Sequence, residues 1–150
     1  MTYCDTSFLL ALYVRRDFFN PPALKAAAKL TDPIPYTLLG ELELLNGIHR
    51  ILAARIVSRS EHDTILRQIG LDEADGFFVR SPINQGDHFA KARELSRRHT
   101  PTLSCRSLDI LHVAAALLVG ATRFASFDSK QRTLANAAGL RPTPDLVPSR

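Results

Sequence analysis

The sequence predicts an α/β domain in which helices sandwich a short, mainly parallel central sheet, a three-layer α/β/α arrangement. Short runs rich in β-branched and aromatic residues alternate with longer runs of helical periodicity, the pattern of repeated strand–helix units. The most apolar segment, "SLDILHVAAALLVG" at 107–120, is hydrophobic nearly all round, as a helix packed on several sides must be. Two acids, Asp5 and Asp128, fall at or just past the ends of expected strands, where parallel sheets form their ligand crevices.

Taken in order, "TYCD" reads as a strand ending in an acid, and "TSFLLALYVRR" as a helix capped near Thr6 or Ser7 that finishes in arginines. "ALKAAAKL" follows as a second helix behind two prolines, and "PIPYT" as a second strand. A long helix is expected from Leu38 to about Ser58 and a shorter one from Glu61 to about Leu71, before a third strand in "GFFVR". "NQGDHFAKARELSRRHT" is a basic amphipathic helix ended by Pro101, and the apolar helix comes next. "TRFASF" is a fourth strand, "DSKQRTLANAAG" a helix capped by Asp128 or Ser129 and stopped by Gly139, and "LRPTP" an edge strand. Residues 1–150 are taken as one domain, with about 143–150 as a loose tail.

No apolar run approaches the roughly 18 residues that cross a bilayer, and "FLLALYV" follows Asp5 rather than a basic leader, so a cytoplasmic protein is expected. Cys4 and Cys105 lack metal or disulfide spacing and read as small core residues. The net charge is +4, with fifteen Arg against four Lys. Arginine's planar fork suits phosphate, so a polyanionic partner and an ordinary solvated basic surface both fit.

Chemistry is carried by acids. Asp109 lies near the start of the apolar helix with His112 one turn on, and Glu43 shares a helix face with Asn46. Asp5 and Asp128 can each be read as a helix cap, and Asp109 as a charge favoured by its helix dipole. If they converge, two unit charges about 4 Å apart repel by roughly 4 kcal/mol at an effective dielectric near 20, so the group must hold protons or bind a cation. Oxygen donors without clustered His or Cys select a hard ion, Mg²⁺ or Mn²⁺. A zinc site from Cys4, His112 and Asp109 is a weak alternative. Glu41 and Glu43, two apart, cannot face the same way.

Four segments in order resemble the PIN-domain ribonucleases, and within them the VapC-like toxins of toxin–antitoxin pairs: "YCDTSFLLALY", "YTLLGELELLNGIHR", "RSLDILHVAAAL" and "FASFDSKQRTLANAAGL". The resemblance implies acids at Asp5, Glu43, Asp109 and Asp128, its Glu-x-x-Asn phase favouring Glu43 over Glu41. Asp5, Asp109 and Asp128 would hold the metal, with Thr6, Ser126, His112 and Asn46 in support. Cys4 and Ser126 depart from the usual aliphatic and threonine. The implied activity is metal-dependent RNA cleavage leaving 5′-phosphate and 3′-hydroxyl ends, and the implied partners are RNA, a small antitoxin and a second copy of the chain. The rival readings are a non-catalytic binding module of the same fold and an aspartyl-phosphate phosphatase using Asp5, in which Ser7 stands where a second acid is needed.

Overall fold

A computed structural model describes residues 1–145. In chain order the elements are β1 (Thr2–Cys4), α1 (Thr6–Tyr13), α2 (Asn20–Ala27), β2 (Ile34–Tyr36), α3 (Leu38–Ala53), α4 (Arg59–Ala74), β3 (Phe78–Arg80), α5 (Gln85–Leu103), α6 (Ser107–Leu118), β4 (Arg123–Ala125), α7 (Ser129–Ala137) and β5 (Arg141–Thr143). Every strand pair is parallel, β1 with β4, β4 with β5, and β2 with β3. The ladder is not continuous: hydrogen bonding gives a three-stranded sheet, β1-β4-β5, and a separate two-stranded sheet, β2-β3.

Alternation along three-residue strands builds the layers. Tyr3 and Phe124 point to one face, stacked with ring centroids 5.6 Å apart, and join the apolar side chains of α5, α6 and α7. Cys4 and Ala125, one residue on, point to the other face and join Phe8, Leu9, Leu44 and Ile48 of α1 and α3. Two cores therefore share one pleated wall. Gly47 of α3 faces α1, where a Cβ would stand 2.9 Å from Leu10 Cδ1 and the Leu10 side chain would have to turn aside.

Several boundaries differ from the sequence expectation. α5 runs through Pro101 to Leu103 and ends at Ser104, whose φ of 51° is left-handed. Pro101 and Arg97, the residue whose carbonyl loses its helical donor, are both exposed, so water can take over that bond. α3 stops at Ala53, and Ser58 instead caps α4, with Ser58 and Glu61 bonding reciprocally in a capping box. α1 ends at Tyr13, before Arg15 and Arg16. Thr143, which the sequence places both in the edge strand "LRPTP" and at the start of the approximate tail, pairs with Ala125 as the last residue of β5, and the tail from residue 146 lies outside the described residues.

Arg80 at the end of β3 ties α3 to α4. Its Nη2 donates to Glu41 at 2.9 Å, its Nε donates to Glu73 at 2.6 Å, and its guanidinium lies 5.2 Å from the centre of the Tyr36 ring. The hydrogen bond from Arg80 holds the Glu41 carboxyl below the ordinary glutamate range against a smaller opposing effect of burial. A lowered folded-state pKa stabilises above the unfolded value and loses that stabilisation as pH falls through the folded one. Arg80→Gln is therefore expected to flatten the acid limb of the stability–pH curve below the ordinary glutamate range. The change should be small, because Arg80 is half exposed and solvent screens it. Urea midpoints measured across that range check it; an acid limb as steep as the wild type's would count against the ion pair.

Candidate acidic crevice

Asp5 follows β1 directly, its N–H donating to the Ala125 carbonyl at 3.0 Å, so it sits at the carboxyl edge of the sheet beside the end of β4. It is the N-cap of α1: Oδ1 accepts from the Phe8 N–H at 2.9 Å and from the Ser7 hydroxyl at 2.8 Å. Both bonds fall on one oxygen. The side chain is buried, and that burial raises its pKa, offset in part by the Ser126 hydroxyl, the Phe8 N–H, the His112 charge and Ser7.

Asp128 repeats the device at α7. Its Oδ1 accepts from the N–H groups of Lys130 at 2.8 Å and Gln131 at 3.1 Å, while Oδ2 faces the guanidinium of Arg106 at 3.2 Å. The two cap loops are stitched together by hydroxyls. Ser7 Oγ accepts from the Phe127 N–H at 2.9 Å and lies 3.3 Å from Ser126 Oγ, which accepts from the Asp128 N–H at 3.0 Å.

The charge in the first turn of α6 is compensated from the helix's own N-cap position. Asp109 is buried, and Arg106, at the N-cap position, donates to it from Nε at 2.9 Å and from Nη2 at 3.3 Å. The same guanidinium reaches Asp128, so one positive group spans both acids. Gln131 donates its Nε2 to Asp109 Oδ1 at 3.3 Å from the other side. Its Oε1 is buried with no partner among the described residues. Rotating the amide would set that oxygen against a carboxylate, so the assignment stands and an orphan acceptor remains, at a cost of about 1–3 kcal/mol.

His112, also buried, has Nδ1 2.9 Å from the Tyr3 hydroxyl and contacts Glu43 through Nε2. The ring thus bridges a tyrosine hydroxyl and a carboxylate, its Nε2–H donating to Glu43. Thr6 donates to the same Glu43 oxygen at 2.7 Å, the contact that the close approach of α1 and α3 permits. The His112 hydrogen bond, with help from Thr6 and Arg106, holds the Glu43 carboxyl below the ordinary range although burial opposes it. Glu43 thus feels Arg106, and Asp5 feels His112, so the acids from four segments share one electrostatic neighbourhood.

Of the two glutamates on α3, Glu43 faces this network and Glu41 pairs with Arg80 outside it. Thr6, Ser126 and His112 are woven into the network; Asn46 is exposed and makes none of its bonds. Cys4 points to the core on the opposite face of β1 from Tyr3 and His112, which argues against the zinc alternative. Ser7, where a phosphatase would carry its second acid, is committed to Asp5 and Phe127. Arg106, Gln131 and Tyr3 are not singled out by the sequence, although Arg106 stands at i−3 from Asp109 and Gln131 at i+3 from Asp128; Ser7 is read there only as a cap or as a missing acid.

The donor set is all oxygen, which suits a hard divalent ion, and the orphaned Gln131 carbonyl is a ready acceptor beside it. Among the described residues no three His, Cys, Asp or Glu side chains stand together closely enough to hold one ion. The arrangement therefore fits an ion carried on one or two carboxylates with water completing its shell, as Mg²⁺ prefers, and does not fit a closed protein cage. Next to Asp128 a shallow cavity of about 370 Å³ opens, lined by Phe19, Arg106, Phe127, Ser129 and Lys130 as well as Asp128.

Comparison with known proteins supplies a family. The chain finds no sequence match among curated proteins. Its fold is similar to that of VapC20 of Mycobacterium tuberculosis, a toxin that cleaves the sarcin–ricin loop, with a TM-score of 0.69 at 17% identity over 93% of this chain and 96% of that one. The signature of the PIN domain matches residues 2–137, nearly the whole of the described chain, and this protein belongs to the PIN domain family.

Proposed function

We propose that the chain is a metal-dependent endoribonuclease, the toxin of a toxin–antitoxin pair, working at the crevice of Asp5, Glu43, Asp109 and Asp128. The observation that carries this reading is the pair Asp109 and Asp128, drawn from different helices and already sharing one cation, with Asp5 and Glu43 within electrostatic reach. Of the three acids expected at the metal, Asp109 and Asp128 would hold Mg²⁺ or Mn²⁺ with water completing its shell and Asp5 acting from the neighbouring cap, and the ion's chemistry there would be to activate water and to neutralise charge on the phosphoryl group. The chain's own part is positional. The caps fix the Asp5 and Asp128 carboxyl groups, His112 and Thr6 orient Glu43, and Arg106 and Lys130 at the mouth of the shallow cavity attract the phosphate backbone without reading bases.

The partner reading belongs to the same proposal. A groove of about 1130 Å³ between α1, α2 and α4, lined by Leu12, Val14, Leu24, Ile65 and Phe77 among others, has the apolar floor that a segment of a small antitoxin needs. Leu38 and Leu42 leave apolar surface exposed on α3 for self-association. Among the described residues no helix is long and apolar enough to cross a membrane.

The test is cleavage of total RNA by the purified chain with Mg²⁺, with Mn²⁺ and with EDTA. The expected result is cutting only with metal, leaving 5′-phosphate ends. Cutting that persists in EDTA and leaves cyclic phosphate ends would replace the metal mechanism with attack by the ribose hydroxyl.

A further inference from the structure

Both donors that hold Asp109 are incompletely engaged. Arg106 lies with 64% of its side chain exposed and reaches the two acids through Nε and Nη2. Gln131 is only 6% exposed, yet its Oε1 has no donor among the described residues, and its amide is fixed by the bond to Asp109. A solvent-exposed cation thus sits between the two carboxylates, and beside them lies a buried acceptor that meets no donor among the described residues. Native proteins keep few such acceptors, and those that persist commonly meet a ligand, an ion or an ordered water.

We propose that Arg106 is the resident counter-cation of the metal-free site, that a divalent ion displaces it from between Asp109 and Asp128, and that Gln131 Oε1 gains its missing partner in the same event. The inference rests on the metal-dependent reading above and adds how the site loads. Two carboxylates held side by side without a cation repel, so Arg106 allows the crevice to fold intact before any metal arrives. The guanidinium and a doubly charged ion cannot share the same two carboxylates without repelling each other in turn. Arg106 is the group free to leave, because it is held from the solvent side while both acids are fixed by their helices. Once displaced, it stays at the rim of the shallow cavity beside Lys130, where an RNA phosphate offers it a new anion. Metal affinity and the position of Arg106 are therefore linked, and each opposes the other.

The experiment is Mn²⁺ titration by calorimetry, with melting temperatures in the absence and presence of saturating Mn²⁺, on the wild type, Arg106→Gln, Arg106→Lys, Gln131→Leu and Asp109→Asn. Arg106→Gln is expected to bind Mn²⁺ about tenfold more tightly, to melt lower without metal, and to gain more from its addition. Arg106→Lys, which keeps the charge, stays near the wild type, and Gln131→Leu binds more weakly. Equal or weaker Mn²⁺ binding by Arg106→Gln would overturn the displacement, and unchanged binding by Gln131→Leu would overturn the amide's part in it. If Asp109→Asn alone loses binding in either case, the metal site survives and only this inference falls; if no protein binds Mn²⁺, the metal reading falls and takes the inference with it.

Discussion

Asp5→Asn is expected to lose RNA cleavage by a factor on the order of 10²–10³ or more while the metal-free protein becomes more stable at neutral pH. Activity falls because an amide cannot supply a carboxylate's charge. Folding survives because both cap bonds land on Oδ1, which asparagine retains, and asparagine is as good an N-cap as aspartate. The sign of the stability change follows from the environment of Asp5. Burial raises its folded-state pKa, so its contribution is most favourable below the unfolded value and is lost as pH rises through the folded one. Asparagine removes that loss. Its advantage should appear at neutral pH and disappear in acid, where the wild-type carboxyl is already protonated. Urea denaturation at several pH values, run beside the cleavage assay, separates the two effects. A variant that cleaves normally, or is destabilised at neutral pH, contradicts the role given to this residue.

His112→Ala should be the most damaging single change to stability near the crevice, at about 3–5 kcal/mol, or very roughly 8–15 °C in Tm. The ring fills space in a fully packed helix and joins β1, α1 and α3 through Tyr3, Thr6 and Glu43. Its removal leaves a void, a buried tyrosine hydroxyl without its histidine partner and a half-buried glutamate without its donor. His112→Gln restores a donor and an acceptor and should recover part of the loss. Equilibrium unfolding measures both, and a loss below about 1 kcal/mol for the alanine variant would mean that the network does not bind these elements together.

The positions of the acids were legible because their chemistry is local. Asp5 and Asp128 could be placed at strand ends, and Asp109 and His112 on an apolar helix, from a few neighbouring residues each. What compensates them was not legible. Arg106 is one of fifteen arginines, and nothing in its spelling distinguishes a guanidinium turned back onto two acids from one turned to water. Gln131 reads as an ordinary polar position on α7, and only packing buries it. The break between the two sheets depends on how β1 and β2 meet in space, which strand propensity does not encode. The end of α3 was missed because it turns at Arg55, with φ of 56° in a residue that rarely adopts it, while the capping pair Ser58 and Glu61 lay in plain view. Capping does not exclude a site role for Asp5 and Asp128, since each caps with one oxygen and keeps the other outside the cap.

That division of labour fixes the length of the side chain. A glutamate at 5 or 128 would carry the same charge, but its extra methylene suits neither the reach back to the N–H groups of the first turn nor the place the carboxyl now holds. Aspartate is thus the shortest acid and the only one that can close the helix and face the crevice from one Cβ. Asparagine at either position would keep the cap and remove the charge.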